Sequence, residues 1–447
     1  MTTHAAQVLG KYASELKFSD IPAHVVERAK DCIADTVAAA AFGSRFPWSR
    51  MVAEYARMYG SGGPCALIGL PGAKVHAPYA ALANGVFSHA FEQDAVRDPG
   101  VGCHAGATLM PTLLALAEET KASGKDVVTA FVAACEMMIR IGLASHHSPE
   151  KVGFHAPGLT GPYGSAVAAG YLLKLDPERM ANAIGIAGSL SSGLLAFSKS
   201  KTGGMVKRLH LGRSAESGVL AAKLAASGYT GPETILEGKF GFLDAYCLKE
   251  DCEPALLTKD LGNHWETMSL CLKRYACHIN AHTSVQTARD LAVKHGFKAA
   301  EITKVVLEGH ERLASHHNIL EPGDIMQGQY SLPFCVALAL TLDPENPKSF
   351  DDKALADPGI RALCRKVELR SRDVDSLRKI TLTVHLQDNR QFSAECSAYK
   401  GMPVNPLTRD ELRHKFMLLT ADLGESTAAK MFEQLATLEK QPGFTFG

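Results

Sequence analysis

The segment LRKITLTVHLQDNRQFSAE, Leu377 to Glu395, alternates apolar Ile380, Leu382, Val384 and Leu386 with polar residues, then reaches Asp388-Asn389 and resumes over Gln391 to Glu395. Successive side chains of an extended chain point to opposite faces, so the pattern predicts a half-buried strand, and the Asp-Asn pair predicts the turn of a hairpin. Thr303 to Glu308 shows the same β-type patterning. The chain before Thr303 follows a different period. Pro22 to Phe42 places Val25, Val26, Ala29, Ile33 and Val37 near helical spacing and stops at Gly43, and Ala77 to Phe91, Ala105 to Ser123, Lys125 to His147 and Pro177 to Leu195 read as further helices rich in small residues. Tyr330 to Leu342 is an apolar helix between the strands, and Thr408 with Glu411 three residues on forms a capping box for a helix that follows Pro406. The expected fold is mainly α with an α+β part, the α+β part lying between about Ser269 and Tyr399 and the C-terminal helices rejoining the first domain.

At 447 residues, with 46% hydrophobic and 21% charged residues, the chain has an ordinary globular composition and room for two or three domains. Lys+Arg and Asp+Glu both number 47, so no excess positive field draws nucleic acid or an anionic membrane. No run of about 18 uncharged apolar residues supports a membrane span. The N-terminus, MTTHAAQVLGKYASELKF, carries charges every few residues where a signal peptide has an apolar core, which points to a cytoplasmic protein. The eleven cysteines are scattered. The closest pairs, Cys271/Cys277 and Cys247/Cys252, lack C-x-x-C spacing, so free thiols in a reducing compartment are expected.

Four stretches carry candidate chemistry. In GGMVKRLHLGRSAESG, Gly203 to Gly218, the glycine pair permits a sharp bend, and Lys207, Arg208, His210 and Arg213 supply cations within seven positions. Ser214 is expected to cap a helix that Gly228 stops, giving a site suited to anions or, at its plainest, a solvated basic turn. The loop from Glu92 to Pro111 holds Asp94, Asp98 and His104 between two apolar helices. His155 stands in a second Gly/Pro-broken loop before an Ala/Gly-rich helix, an arrangement like that of His104. KRYACHINAH, Lys273 to His282, sets Lys273 and Arg274 before His278 and His282, whose i, i+4 spacing on a helix would share one face; Ile279 stands where a zinc-binding H-E-x-x-H motif needs glutamate. No Walker or dinucleotide-type glycine motif appears.

Taken together, the Asp94 to His104 loop, FHAPGLTGPYGSA around His155, VKRLHLGRSAESG around Lys207, KRYACH before Ile279 and KGMPVNP from Lys400 resemble the MmgE/PrpD family, in the family's order and over nearly the whole chain. That family includes 2-methylcitrate dehydratase, cis-aconitate decarboxylase and iminodisuccinate epimerase. The resemblance implies a large all-helical domain formed by both chain ends, residues 1–268 and 400–447, an inserted α+β lid over 269–399, an active site between the two, and a homodimer. Carried over by position, it matches Asp94, His104, His155, Lys207 and His278 to the family's catalytic or substrate-contacting residues, here expected to be catalytic, and Lys273 to the family's usual lysine before the histidine segment; the charge chemistry adds Arg208 and Arg274 to Lys273 as expected substrate-binding cations, with His282 as a further expected substrate contact. The implied activity is a lyase needing no metal or organic cofactor and acting on a small di- or tricarboxylic acid. Dehydration of a 2-methylcitrate-like acid is its simplest form, with decarboxylation or epimerisation as neighbours. The chain departs from the family at Ala105, where Pro or Ser is usual, and at Phe334, near which decarboxylase-like members carry tyrosine. A metal-dependent hydrolase drawing on the 18 histidines and a carboxylate-binding protein without turnover are the readings from other classes.

Overall fold

Glycines stand at several close helix contacts of this protein, whose computed structural model describes residues 3–199 and 204–445. The fold is mainly α with an α+β part, and it divides into two compact units. The first comprises Met1–Ala90, Asp94–Cys271 and Leu412–Gly447, and the second comprises Phe91–Gln93 and Leu272–Glu411.

Ten helices account for most of the first unit up to residue 226: α1 (Ala5–Glu15), α2 (Ala23–Gly43), α3 (Pro47–Gly60), α4 (Ala77–Ser88), α5 (Ala105–Thr120), α6 (Gly124–Ser145), the short α7 (Ser148–Lys151), α8 (Ala156–Leu172), α9 (Pro177–Gly188) and α10 (Val206–Ala226). Helix α8 is buried along nearly its whole length and packs against α5, α6, α9 and α10. Small residues permit this. A Cβ on Gly218 of α10 would lie 2.2 Å from the Ser165 Cβ of α8, and one on Gly212 would lie 2.4 Å from the Leu82 carbonyl oxygen of α4. Helix α6 is long and apolar enough to cross a membrane, but its apolar stretch is buried by neighbouring elements. It carries Glu136 and Arg140, paired one turn apart at 3.2 Å. Burial pushes the Glu136 carboxyl up to about 7 against the opposing pull of Arg140. Two short antiparallel pairs, β1 (Ser61–Ala66) with β2 (Lys74–Val75) and β3 (Val96–Arg97) with β4 (Leu270–Cys271), complete the framework with the C-terminal helices. The chain end is fixed on α2 by a buried ion pair, Lys415 Nζ to Asp35 Oδ1 at 2.5 Å, and by Lys30 Nζ to Glu439 Oε2 at 2.9 Å.

Three helix expectations need correction. Helix α4 ends at Ser88, three residues before Phe91, and α9 ends at Gly188, well before Leu195. Helix α10 begins at Val206, so Ser214 lies inside it and caps nothing; the Ser214 hydroxyl instead donates back to the His210 carbonyl at 2.8 Å. Lys207 thus sits in the first helical turn, after Gly204; Gly203 lies outside the described residues.

In the second unit, four strands run in the order β6-β5-β7-β8, with β5 (Ile302–Gly309), β6 (Val367–Ser371), β7 (Ile380–Leu386) and β8 (Gln391–Cys396). β7 and β8 form the hairpin, His385 opposite Gln391 and Ile380 opposite Cys396, and Asn389 takes the positive φ of 66° that its turn requires. β5 pairs antiparallel with β7 and parallel with β6, a strand absent from the expected elements. Ile380, Leu382 and Val384 are buried, as their alternation requires. The helices His282–His295 and Leu332–Thr341 pack on one another, the first also against β7 and β8. Thr408 and Glu411 exchange hydrogen bonds, Thr408 N–H to Glu411 Oε2 at 2.8 Å and Glu411 N–H to Thr408 Oγ1 at 3.2 Å, and start the helix Arg409–Leu419.

Candidate active site

His104 and His155 each occupy the residue before a helix, α5 and α8, and neither side chain caps it. Their rings are thereby available for other partners at rigid points of the fold. Asp94 takes one of them: its Oδ2 lies 2.6 Å from His104 Nδ1. Its Oδ1 lies 2.9 Å from Nδ1 of His89, the residue that ends α4. An ionised carboxylate accepts from both rings, so both Nδ1 atoms carry hydrogen, and the neutral form of His104 has its lone pair at Nε2, the form of a general base. Burial, assisted by Lys207 and opposed by Asp94, pulls His89 down to about 3, which keeps it neutral. The two rings meet edge to face at 4.8 Å. The three donor atoms of His89, Asp94 and His104 lie within 4.8 Å of one another, a spacing that would also suit a metal ion. Sequence reasoning missed His89. Its available signal was a histidine five residues before Asp94, at the end of an apolar helix.

His155 Nδ1 lies 3.0 Å from Nδ1 of His210, one turn after Lys207 on α10. Phe197 packs edge-on against both rings, at 5.3 Å from His155 and 5.9 Å from His210. Burial lowers both histidines below their ordinary range, and the Lys207 ammonium lowers both further; His210, His89 and His104 add to the effect on His155. Lys207 and Arg208 are both buried. One Arg208 nitrogen, Nη1, donates to the Gly204 carbonyl at 3.2 Å, while Nε and Nη2 are buried without a hydrogen-bond partner among the described residues. The first unit therefore brings together Asp94, His104, His155 and Lys207, adds His89 and His210, and sets Arg208 beside Lys207 in the chain.

Lys273, Arg274, His278 and His282 belong to the second unit. Lys273 Nζ pairs with Glu92 Oε2 at 2.8 Å, both side chains buried, and Arg274 pairs with Glu345 at 2.8 Å. His278 precedes a short 3-10 turn, and its Nδ1 accepts from the Asn280 backbone N–H at 3.3 Å, which leaves the hydrogen of the neutral ring on Nε2. His317 and Tyr330 hold the ring at centroid distances of 4.7 Å each. Behind them runs a chain of bonds: Arg378 Nη1 to Asn280 Oδ1 at 2.6 Å, Asn280 Nδ2 to His317 Nε2 at 3.1 Å, and His317 Nδ1 to the Tyr330 carbonyl at 3.0 Å. Asn280, His317 and Arg378 were not among the expected site residues. The i, i+4 spacing of His278 and His282 does not put them on one helical face, because the helix begins only at His282. His282 is fully buried against Tyr275 and Tyr399, with Nε2 3.3 Å from the Cys277 carbonyl.

Comparison with known proteins adds an independent line. The sequence matches the MmgE/PrpD N-terminal domain over residues 7–255 and the MmgE/PrpD C-terminal domain over residues 275–440. It is 30% identical to a cis-aconitate decarboxylase of Aspergillus terreus, over 95% of this chain and 91% of that protein. It is 27% identical to the human cis-aconitate decarboxylase, over 95% of this chain and 90% of that protein, and 27% identical to a cis-aconitate decarboxylase-like protein of Aspergillus oryzae, over 95% and 92%.

Proposed function

The chain belongs to the MmgE/PrpD family, and from that premise we propose that it is a lyase that removes carbon dioxide from a small tricarboxylate of the cis-aconitate type. The observation that carries the carboxylate assignment is the buried Arg208 fork. Two of its donors lack a hydrogen-bond partner among the described residues, and it adjoins the buried Lys207. Buried donors left unsatisfied are costly, and the planar fork matches a carboxylate. The names of the relatives favour decarboxylation over the dehydration expected first from the sequence.

The chemistry needs charge stabilisation more than covalent help. Loss of carbon dioxide leaves an electron pair beside a remaining carboxylate, and one proton must then be added to carbon. Lys207 and Arg208 offset the charge, and a histidine handles the proton. Asp94, His104, His155, Lys207 and His278 are the proposed reacting set, with Lys273, Arg208, Arg274 and His282 as proposed substrate contacts. No metal or organic cofactor takes part in this proposal, so EDTA is expected to leave turnover unchanged; activity lost to the chelator and restored by one divalent ion would overturn it. A cytoplasmic homodimer belongs to the same proposal, with sedimentation equilibrium as the test of the dimer.

Dehydration of a 2-methylcitrate-like acid is the second reading, favoured by His104, whose Nε2 lone pair suits removal of a proton next to a carboxylate. Incubation with cis-aconitate, citrate, 2-methylcitrate and iminodisuccinate, followed by mass detection of products and chiral analysis, separates the readings. Carbon dioxide release from cis-aconitate is expected. Water loss from 2-methylcitrate alone would establish the second reading, and racemisation without mass loss would establish an epimerase.

A further inference from the structure

The contact between His155 and His210 joins two nitrogens of the same kind at 3.0 Å. Two lone pairs facing each other would repel and two N–H groups would collide, so one proton lies between them. That single proton decides the chemistry of His155. If His155 supplies it, the His155 Nε2 carries a lone pair and the ring is a base; if His210 supplies it, the His155 Nε2 carries the hydrogen and the ring is a donor.

We propose that His210 is a positioning residue that donates its Nδ1 hydrogen to His155 and thereby holds His155 as a neutral Nε2–H donor toward the charge formed on the substrate. This rests on the lyase reading of the site. Three observations support it. The Nδ1 hydrogen of His104 is committed to Asp94, so the neutral His104 ring has no hydrogen left to point at substrate charge and the donor must come from another ring. Burial and the Lys207 ammonium disfavour a charged imidazolium on either ring of the pair, so the donor is a neutral one. The contact is also built into the fold: Phe197 braces both rings, and Gly193 has a φ of 144° where an added Cβ would lie 3.3 Å from His210 Nδ1 and 3.5 Å from the His155 carbonyl oxygen. A neutral imidazole that donates to developing negative charge needs no proton transfer of its own. It needs only the correct tautomer and a fixed direction.

His210→Asn places an amide donor near the former Nδ1, whereas His210→Leu removes it. Because His210 is only half-buried, both variants are expected to fold, which thermal melting checks. Long-range nitrogen-proton NMR of histidine-labelled protein, with His155→Gln identifying the signal, should show His155 protonated at Nε2 in the wild type and in His210→Asn, and a changed tautomer or mixture in His210→Leu. On the acid that the panel identifies, His210→Leu should lower kcat about tenfold or more with KM changed less than about threefold, while His210→Asn should stay within about threefold of wild type. An Nδ1-protonated His155 in the wild type, or the same tautomer and turnover in His210→Leu, would overturn the proposal. A wild type inert to every acid in the panel would count against the lyase reading, and the tautomer measurement, which needs no substrate, would then decide the role of His210 alone.

Discussion

Lys207→Ala is the sharpest test of a single side chain, because the lysine is buried in the first turn of α10 and its charge already depresses three neighbouring histidines. If it meets the charge formed in the transition state, its loss should cost roughly 10²-fold in kcat/KM, with a fall in kcat and not merely a rise in KM. Steady-state kinetics within about twofold of wild type would remove it from the site. His89 makes a different prediction, in stability. Its native pKa is about 3 against about 6.5 for a free ring, so between these values the unfolded chain binds a proton that the native ring does not. The stability it contributes is complete above pH 6.5 and declines as the solution is acidified from there toward pH 3. His89→Asn keeps an N–H for Asp94 without the titration, and urea unfolding from pH 7 to 4.5 should show a pH dependence that becomes shallower by up to about 1.4 kcal/mol per pH unit once the pH is well below 6.5. Parallel slopes would mean that His89 titrates normally. Residue types and loops made Asp94, His104 and His155 visible in the sequence. His89 was not, because it follows an ordinary apolar helix and its role appears only when the chain turns back on Asp94.

Helix packing gives the next test. Gly212 faces the Leu82 carbonyl of α4, and the methyl of Gly212→Ala would arrive 2.4 Å from a backbone oxygen that cannot rotate away. The expected cost is about 1–3 kcal/mol in urea unfolding, as for other overpacked contacts. An unchanged midpoint would show that α4 and α10 separate freely. Elements whose signals lie in side chains were legible: the β7-β8 hairpin from its alternation, and the helix Arg409–Leu419 from the Thr408–Glu411 box. The start of α10 was not. Met205 precedes it with no side-chain cap, so Ser214 looked the better boundary although its hydroxyl bonds within the helix. β6 escaped for a related reason: VELRS lacks strong alternation, and the strand gains its place by pairing along one side of β5.

At the scale of the molecule, the first unit depends on residues from both ends of the chain. Asp35 on α2 is buried, and burial raises its carboxyl pKa while Lys415 opposes the rise. Lys415→Met should therefore destabilise the protein by about 3–5 kcal/mol, since it strands a buried charge, whereas the double variant Asp35→Leu with Lys415→Met should recover much of the loss. Chemical denaturation of the three variants decides, and a single variant as stable as wild type would show that the pair is solvated. The same arrangement bears on how the protein is made in a cell. When a ribosome has delivered Cys271, α2 is complete but Lys415 and Phe416 do not yet exist, and the 140 residues of Leu272–Glu411 must be translated first. At ordinary synthesis rates of about 5–20 residues per second, an open apolar face and an unmatched aspartate wait roughly 7–30 s for their partners, an interval in which a chaperone has reason to bind the nascent chain.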